Sequence, residues 1–87
     1  MDTEEIIEYL CREGWHKAWN EDSERDDRYE DFRYDRNWAD CIWDELTIWK
    51  TEKRIDVTYQ DIGWGYTNYE NHSFTYEEFV DWWKSKN

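Results

Sequence analysis

The chain contains no proline, only three glycines, two cysteines and a single methionine. Without proline, and with glycine so scarce, no linker of the usual flexible or stiff kind divides the 87 residues, which read as one domain. Cys11 and Cys41 stand singly in apolar surroundings, which suits buried free thiols better than a disulfide. With His16 and His72 they form no C-x-x-C or H-x3-H spacing, and the acidic runs lack a calcium-loop pattern, so no metal or other cofactor is expected. Basic charge is also short, at 11 Lys and Arg against 23 Asp and Glu, giving a net charge of −12. Stacking platforms for bases come with a positive groove, so direct nucleic-acid binding is disfavoured. No apolar run approaches the ~18 residues of a membrane helix. The acidic start Met1-Asp2-Thr3-Glu4-Glu5 lacks the basic region of a signal peptide. A soluble cytoplasmic protein without membrane contact is the expectation.

Leu, Ile, Val and Phe together number only thirteen, and with this much charge that shortage would ordinarily mean disorder. Eight Trp and seven Tyr argue the other way. Each large aromatic buries roughly 150–250 Å² and supplies the core that aliphatics do not. A folded domain is expected.

Asp2 and Glu5 form a capping-box start for a helix over 3–19, with Ile6, Ile7, Leu10, Cys11, Gly14 and Ala18 at helical spacing. Glu4, Glu5 and Glu8 lie off that stripe. Gly14 either admits a close neighbour or ends the helix early. Trp38, Cys41, Ile42 and Leu46 suit a short helical turn. Residues 45–50 and 55–60 alternate as a hairpin around the loop 51–54, with Ile48 opposite Val57 and Leu46 opposite Tyr59. Ile62, Trp64 and Tyr66 suggest a third strand ending near Tyr69, then a turn at 68–72. Thr75 and Glu78 make a second capping box, with Phe74 and Phe79 as its hydrophobic staple, and open a last helix. The class is α+β: an N-terminal helix, an acidic helical segment, a three-stranded antiparallel meander and a C-terminal helix.

The acidic segment, residues 21–36 (EDSERDDRYEDFRYDR), holds eight acids and four arginines. On a wheel of about 100° per residue, Asp22, Glu24, Asp26, Asp27, Glu30, Asp31 and Asp35 fall within roughly 220°. Arg25, Arg28, Arg33 and Arg36 take the remainder, around Tyr29 and Phe32. Like charges at i,i+4 weaken such a helix, which would depend on burying Tyr29 and Phe32. If it forms, its carboxylates repeat at roughly 6 Å. Successive phosphates along a nucleic-acid strand have spacings of the same order. The plainer reading is a solvated face that keeps a Trp-rich domain soluble.

No catalytic motif is present. Cys11 with either histidine is an accidental pairing in most domains, and 23 acids make paired carboxylates uninformative.

In size, acidity and the segment DSERDDRYEDFRYDR, the chain resembles the small DNA-mimic inhibitors that bacteriophages direct against host defences, such as anti-CRISPR and anti-restriction proteins. The resemblance implies a non-enzymatic inhibitor in the host bacterial cytoplasm that occludes the nucleic-acid-binding site of a basic host protein or ribonucleoprotein complex. Its contacts would be Asp22, Glu24, Asp26, Asp27, Glu30, Asp31 and Asp35, with Tyr34 or Trp38 as an aromatic anchor. The four arginines depart from a pure phosphate mimic. The alternative is an intracellular protein–protein interaction module, antitoxin-like or an adaptor, that uses a hairpin edge or exposed Trp49 or Trp64.

Overall fold

Asp2 begins the first helix, α1 (Thr3–Arg12): its side chain accepts from the Glu5 N–H while the Glu5 carboxylate accepts from the Asp2 N–H. The computed structural model describes residues 1–18, 27–36, 43–63 and 65–86, with the side chains of 61–63, 66 and 67 outside the description. The helix stops well short of residue 19. Gly14, at φ 102°, takes the left-handed conformation, and the N–H groups of Gly14 and Trp15 close back on the carbonyls of Cys11 and Leu10. A Cβ at Gly14 would stand 3.1 Å from the Tyr34 ring, so this glycine both ends the helix and admits a neighbour. Ile6, Tyr9 and Leu10 are buried, whereas Cys11 is an exposed free thiol and not the buried one expected. Cys41 lies outside the described residues.

Beyond α1 the expected architecture needs correction. The described residues form a five-stranded antiparallel sheet and two helices in place of the three-stranded meander. The strands are β1 (His16–Lys17), β2 (Tyr29–Asp35), β3 (Trp43–Trp49), β4 (Arg54–Gly63) and β5 (Tyr66–Thr75), paired in chain order. The heart of the acidic segment is therefore a strand. Two physical reasons favour this outcome. A helix would have stacked like charges at i,i+4, and in the strand Asp31, Arg33 and Asp35 point to one face while Phe32 and Tyr34 point to the other. Tyr29 pairs with Trp49, Phe32 with Leu46 and Asp35 with Trp43. Leu46 is on β3, not in a helical turn, and the rest of that expected turn, 38–42, lies outside the described residues.

The β3–β4 hairpin forms two residues out of the expected register: Leu46 faces Val57, Ile48 faces Ile55 and Trp49 faces Arg54. A slip of two leaves every side chain on its intended face. The connection is residues 50–53, with Lys53 in the left-handed region at φ 51°. Past this hairpin, β4 continues through Gly63 and β5 begins at Tyr66, so 68–72 is mid-strand where a turn was expected. The reversal falls beside Gly65, at φ 77°, and Trp64 lies outside the described residues.

The last helix, α2 (Tyr76–Lys86), starts as expected. The Thr75 N–H donates to Glu78 Oε1 and the Glu78 N–H to Thr75 Oγ1, while the rings of Phe74 and Phe79 lie 6.5 Å apart. Both helices cover the same side of the sheet. There Ile6 and Leu10 of α1 and Tyr76, Phe79 and Trp83 of α2 meet Phe32, Leu46, Ile48, Ile55 and Val57 in one core, completed by Tyr9 and Trp15. Each fully buried side chain of this size contributes about 1.5–3 kcal/mol. Among the described residues no helix is long and apolar enough to cross a membrane.

Candidate functional site

Because β2 alternates, the expected block of carboxylate is divided. Asp31 and Asp35 point to the open side of the sheet with Tyr29 and Arg33, while Glu30 and Tyr34 share the helix side with Phe32. Asp27 is exposed in the turn before β2, and Asp22, Glu24, Asp26 and Trp38 lie outside the described residues. Tyr34 is half-buried, its ring 5.5 Å from Trp15 and 5.0 Å from Trp83. A single acidic face spanning this segment does not exist among the described residues.

The carboxylates that remain on the strands are each engaged. Asp31 Oδ1 accepts from Thr47 Oγ1 at 2.6 Å, and Glu30 pairs with Lys50 at 3.2 Å. Asp35 lies 2.7 Å from His16 Nε2 and accepts from Arg33 Nε at 2.8 Å; the His16 contact first, then Arg33, holds its pKa below the ordinary value. Glu45 accepts from the indole N–H of Trp43, whose ring carries the Arg33 guanidinium 4.1 Å away. Asp56 collects three donors: Ser73 Oγ at 2.7 Å, Trp49 Nε1 at 2.9 Å and Arg54 Nε at 3.1 Å. Partial burial pushes Asp56 upward, but these hydrogen bonds outweigh it and its pKa falls below the ordinary value. The Trp49 ring in turn lies 5.3 Å from Tyr29 and 5.5 Å from the Arg54 guanidinium. This open face is a lattice of indole, guanidinium and carboxylate whose charges answer one another.

Among the described strand acids on the covered side, Asp44 is the one fully buried. Asp44 is 1% exposed and accepts from Arg36 at 3.2–3.3 Å and from the Gln60 N–H at 3.0 Å. Burial dominates there and raises its pKa, against the pull of the Gln60 N–H and Arg36. The Arg36 guanidinium rests over the Tyr59 ring at 4.5 Å, which Lys86 approaches at 4.9 Å.

The helices differ. Glu4 and Glu8 of α1 and Asp81 of α2 are exposed and carry no hydrogen bond or ion pair to a described residue. Glu4–Glu8 and Glu77–Asp81 are i,i+4 rows, and the helix starts are joined. The Met1 ammonium donates to Glu77 Oε1 at 2.8 Å, and the Thr3 and Tyr76 hydroxyls lie 2.9 Å apart. Glu77 and Asp81 escaped attention in the sequence, although their spacing off the apolar stripe of α2 marks them. Among the described residues no three His, Cys, Asp or Glu side chains gather as metal ligands. Compared with protein-family models, curated proteins and solved structures, the chain matches none.

Proposed function

We propose that the chain is a phage-type inhibitor that occludes the nucleic-acid-binding site of a host defence complex by acidic mimicry, acting stoichiometrically in the host bacterial cytoplasm. The observation that carries this reading is the set of carboxylates on the helix layer with no partner among the described residues: the i,i+4 pair Glu4 and Glu8 on α1, and Asp81 on α2, whose neighbour Glu77 is held by the Met1 ammonium where the two helices start side by side. Carboxylates without internal cations project a field that steers a basic partner, and their roughly 6 Å repeat matches the scale of a phosphate backbone. A helical face over 21–36 plays no part in it, because β2 is a strand. Exposed Asp27 remains available to the same partner.

The test is retention from bacterial lysate on the immobilised chain. The expected outcome is a nucleic-acid-binding protein or ribonucleoprotein that duplex DNA and high salt both release. A partner indifferent to both would overturn the mimicry. It would favour the second reading, an interaction module working through the open sheet face, where Trp43 and Trp49 lie half-buried and uncovered by either helix.

A further inference from the structure

Strand β5 closes one side of the sheet, and no described strand lies beyond it. It runs ten residues, and its pairing with β4 is unbroken from Arg54↔Thr75 to Gly63↔Tyr66. Natural edges of this length are blunted by proline, lysine, a bulge or brevity. Here β5 has no proline, no lysine and no bulge. At the other edge, β1 is two residues long.

The charge on β5 is equally unusual for this protein. In a chain of net charge −12, β5 carries one acid, Glu70. Glu70, whose Oε2 lies 3.5 Å from Lys86 Nζ, shares its side of the strand with His72, whose Nε2 is buried without a hydrogen bond and 3.7 Å from Glu70 Oε1. Among the described residues the one large aromatic that is exposed, Tyr69 at 63%, lies on the same strand.

We infer that β5 pairs antiparallel with β5 of a second copy of this chain, about a twofold axis through Asn71, to make a continuous ten-stranded sheet. A twofold axis normal to the sheet requires each residue to face one of the same side, so the register must pair positions of equal parity. Centring on Asn71 sets Glu70 opposite His72 of the second copy, and His72 opposite its Glu70. It also sets Tyr69 opposite Ser73. A carboxylate directly across a ladder from an imidazole accepts its N–H, whereas like charges there are unfavourable. Centring on Glu70 would set carboxylate on carboxylate, and centring on His72 would set Glu70 beside Phe74. The Asn71 register alone uses the two ionisable groups of the strand as complements. Trp82, half-buried over His72 and Phe74, would be covered by the same contact.

Sedimentation of the full chain over a micromolar concentration series tests this. The expected result is a monomer–dimer equilibrium. Asn71→Lys places two ammonium groups on the axis and weakens the dimer about tenfold. His72→Glu alone faces Glu with Glu twice and weakens it comparably. Glu70→His combined with His72→Glu restores the pairing to within a few-fold of the original. Circular dichroism confirms that each variant is folded, and Tyr69→Ser, which leaves the core untouched, gives an independent loss. A monomer throughout the series overturns the proposal. So does a dimer indifferent to Asn71→Lys, or one that the double exchange fails to restore.

Discussion

The acids of the strands and the acids of the helices live in different chemistry. On the strands, each described carboxylate side chain has a donor or cation within reach, from Lys50 at Glu30 to the three donors at Asp56. On the helices, Asp2, Glu5 and Glu78 serve capping boxes and Glu77 holds the N-terminal ammonium, while Glu4, Glu8 and Asp81 are exposed with no partner among the described residues. A net charge of −12 therefore says little by itself about where a partner would meet the field. The same side-chain type is structural in one layer and available in the other.

The largest test of that contrast is Arg36→Met. It strips Asp44 of its cation in a buried site and should cost about 3 kcal/mol at neutral pH. The loss shrinks as pH falls through the raised pKa of Asp44, where the carboxylate takes up a proton; chemical denaturation at two pH values reads both. The sign follows from the raised pKa. Asp44's contribution to stability is complete below the ordinary value of 3.8 and is lost as pH rises through its folded pKa. Accordingly, the stability gap between the parent and Asp44→Asn should move against the parent as pH rises. Asp35 and Asp56, with lowered pKa values, act oppositely: their contributions are present above 3.8 and are lost as pH falls through their folded values.

Asp56→Ala ranks second. It removes one acceptor from three donors and should cost about 1–2 kcal/mol by urea denaturation. Lys53→Gly acts on the hairpin joining the two strands that flank this lattice. It relieves the left-handed backbone at φ 51° and should raise stability by about 0.5–1 kcal/mol in a thermal melt. The smallest effect on folding belongs to the helix layer. Glu4→Gln, Glu8→Gln and Asp81→Asn together should stay within about 0.5 kcal/mol of the parent. Under the proposed function the same triple change should slow association with the retained partner about tenfold at low salt.

Where one residue decided an element, the sequence was readable. Asp2 with Glu5 and Thr75 with Glu78 start their helices as expected, because a cap needs only neighbours in sequence. The β3–β4 hairpin was legible in its faces but not in its register, since a slip of two preserves the alternation and the loop chose between the options. Strand β2 reads as a helix because nearly every residue from 21 to 36 is charged or aromatic, and such a run falls readily into a sorted wheel. The contrary signal was present: Phe32 and Tyr34 alternate with Asp31, Arg33 and Asp35. The partners that answer those charges, Thr47 and His16, come from other strands and could not be read locally. The turn expected at 68–72 falls instead on exposed and half-buried positions of β5, and Gly65 supplies the left-handed backbone of the reversal.

The chain-order meander also bears on how the molecule assembles. Every described strand pairs with its neighbour in sequence, and β3, β4 and β5 are joined by connections of only residues 50–53 and 64–65, so this part of the sheet can zip up one hairpin at a time. The contacts of Met1 with Glu77 and of Thr3 with Tyr76 span nearly the whole chain, and they gain little until the strands between them have shortened the path. On such a route the docking of α1 onto α2 would be the closing event. Substitutions at Thr3 or Tyr76 should accelerate unfolding while leaving the refolding rate nearly unchanged.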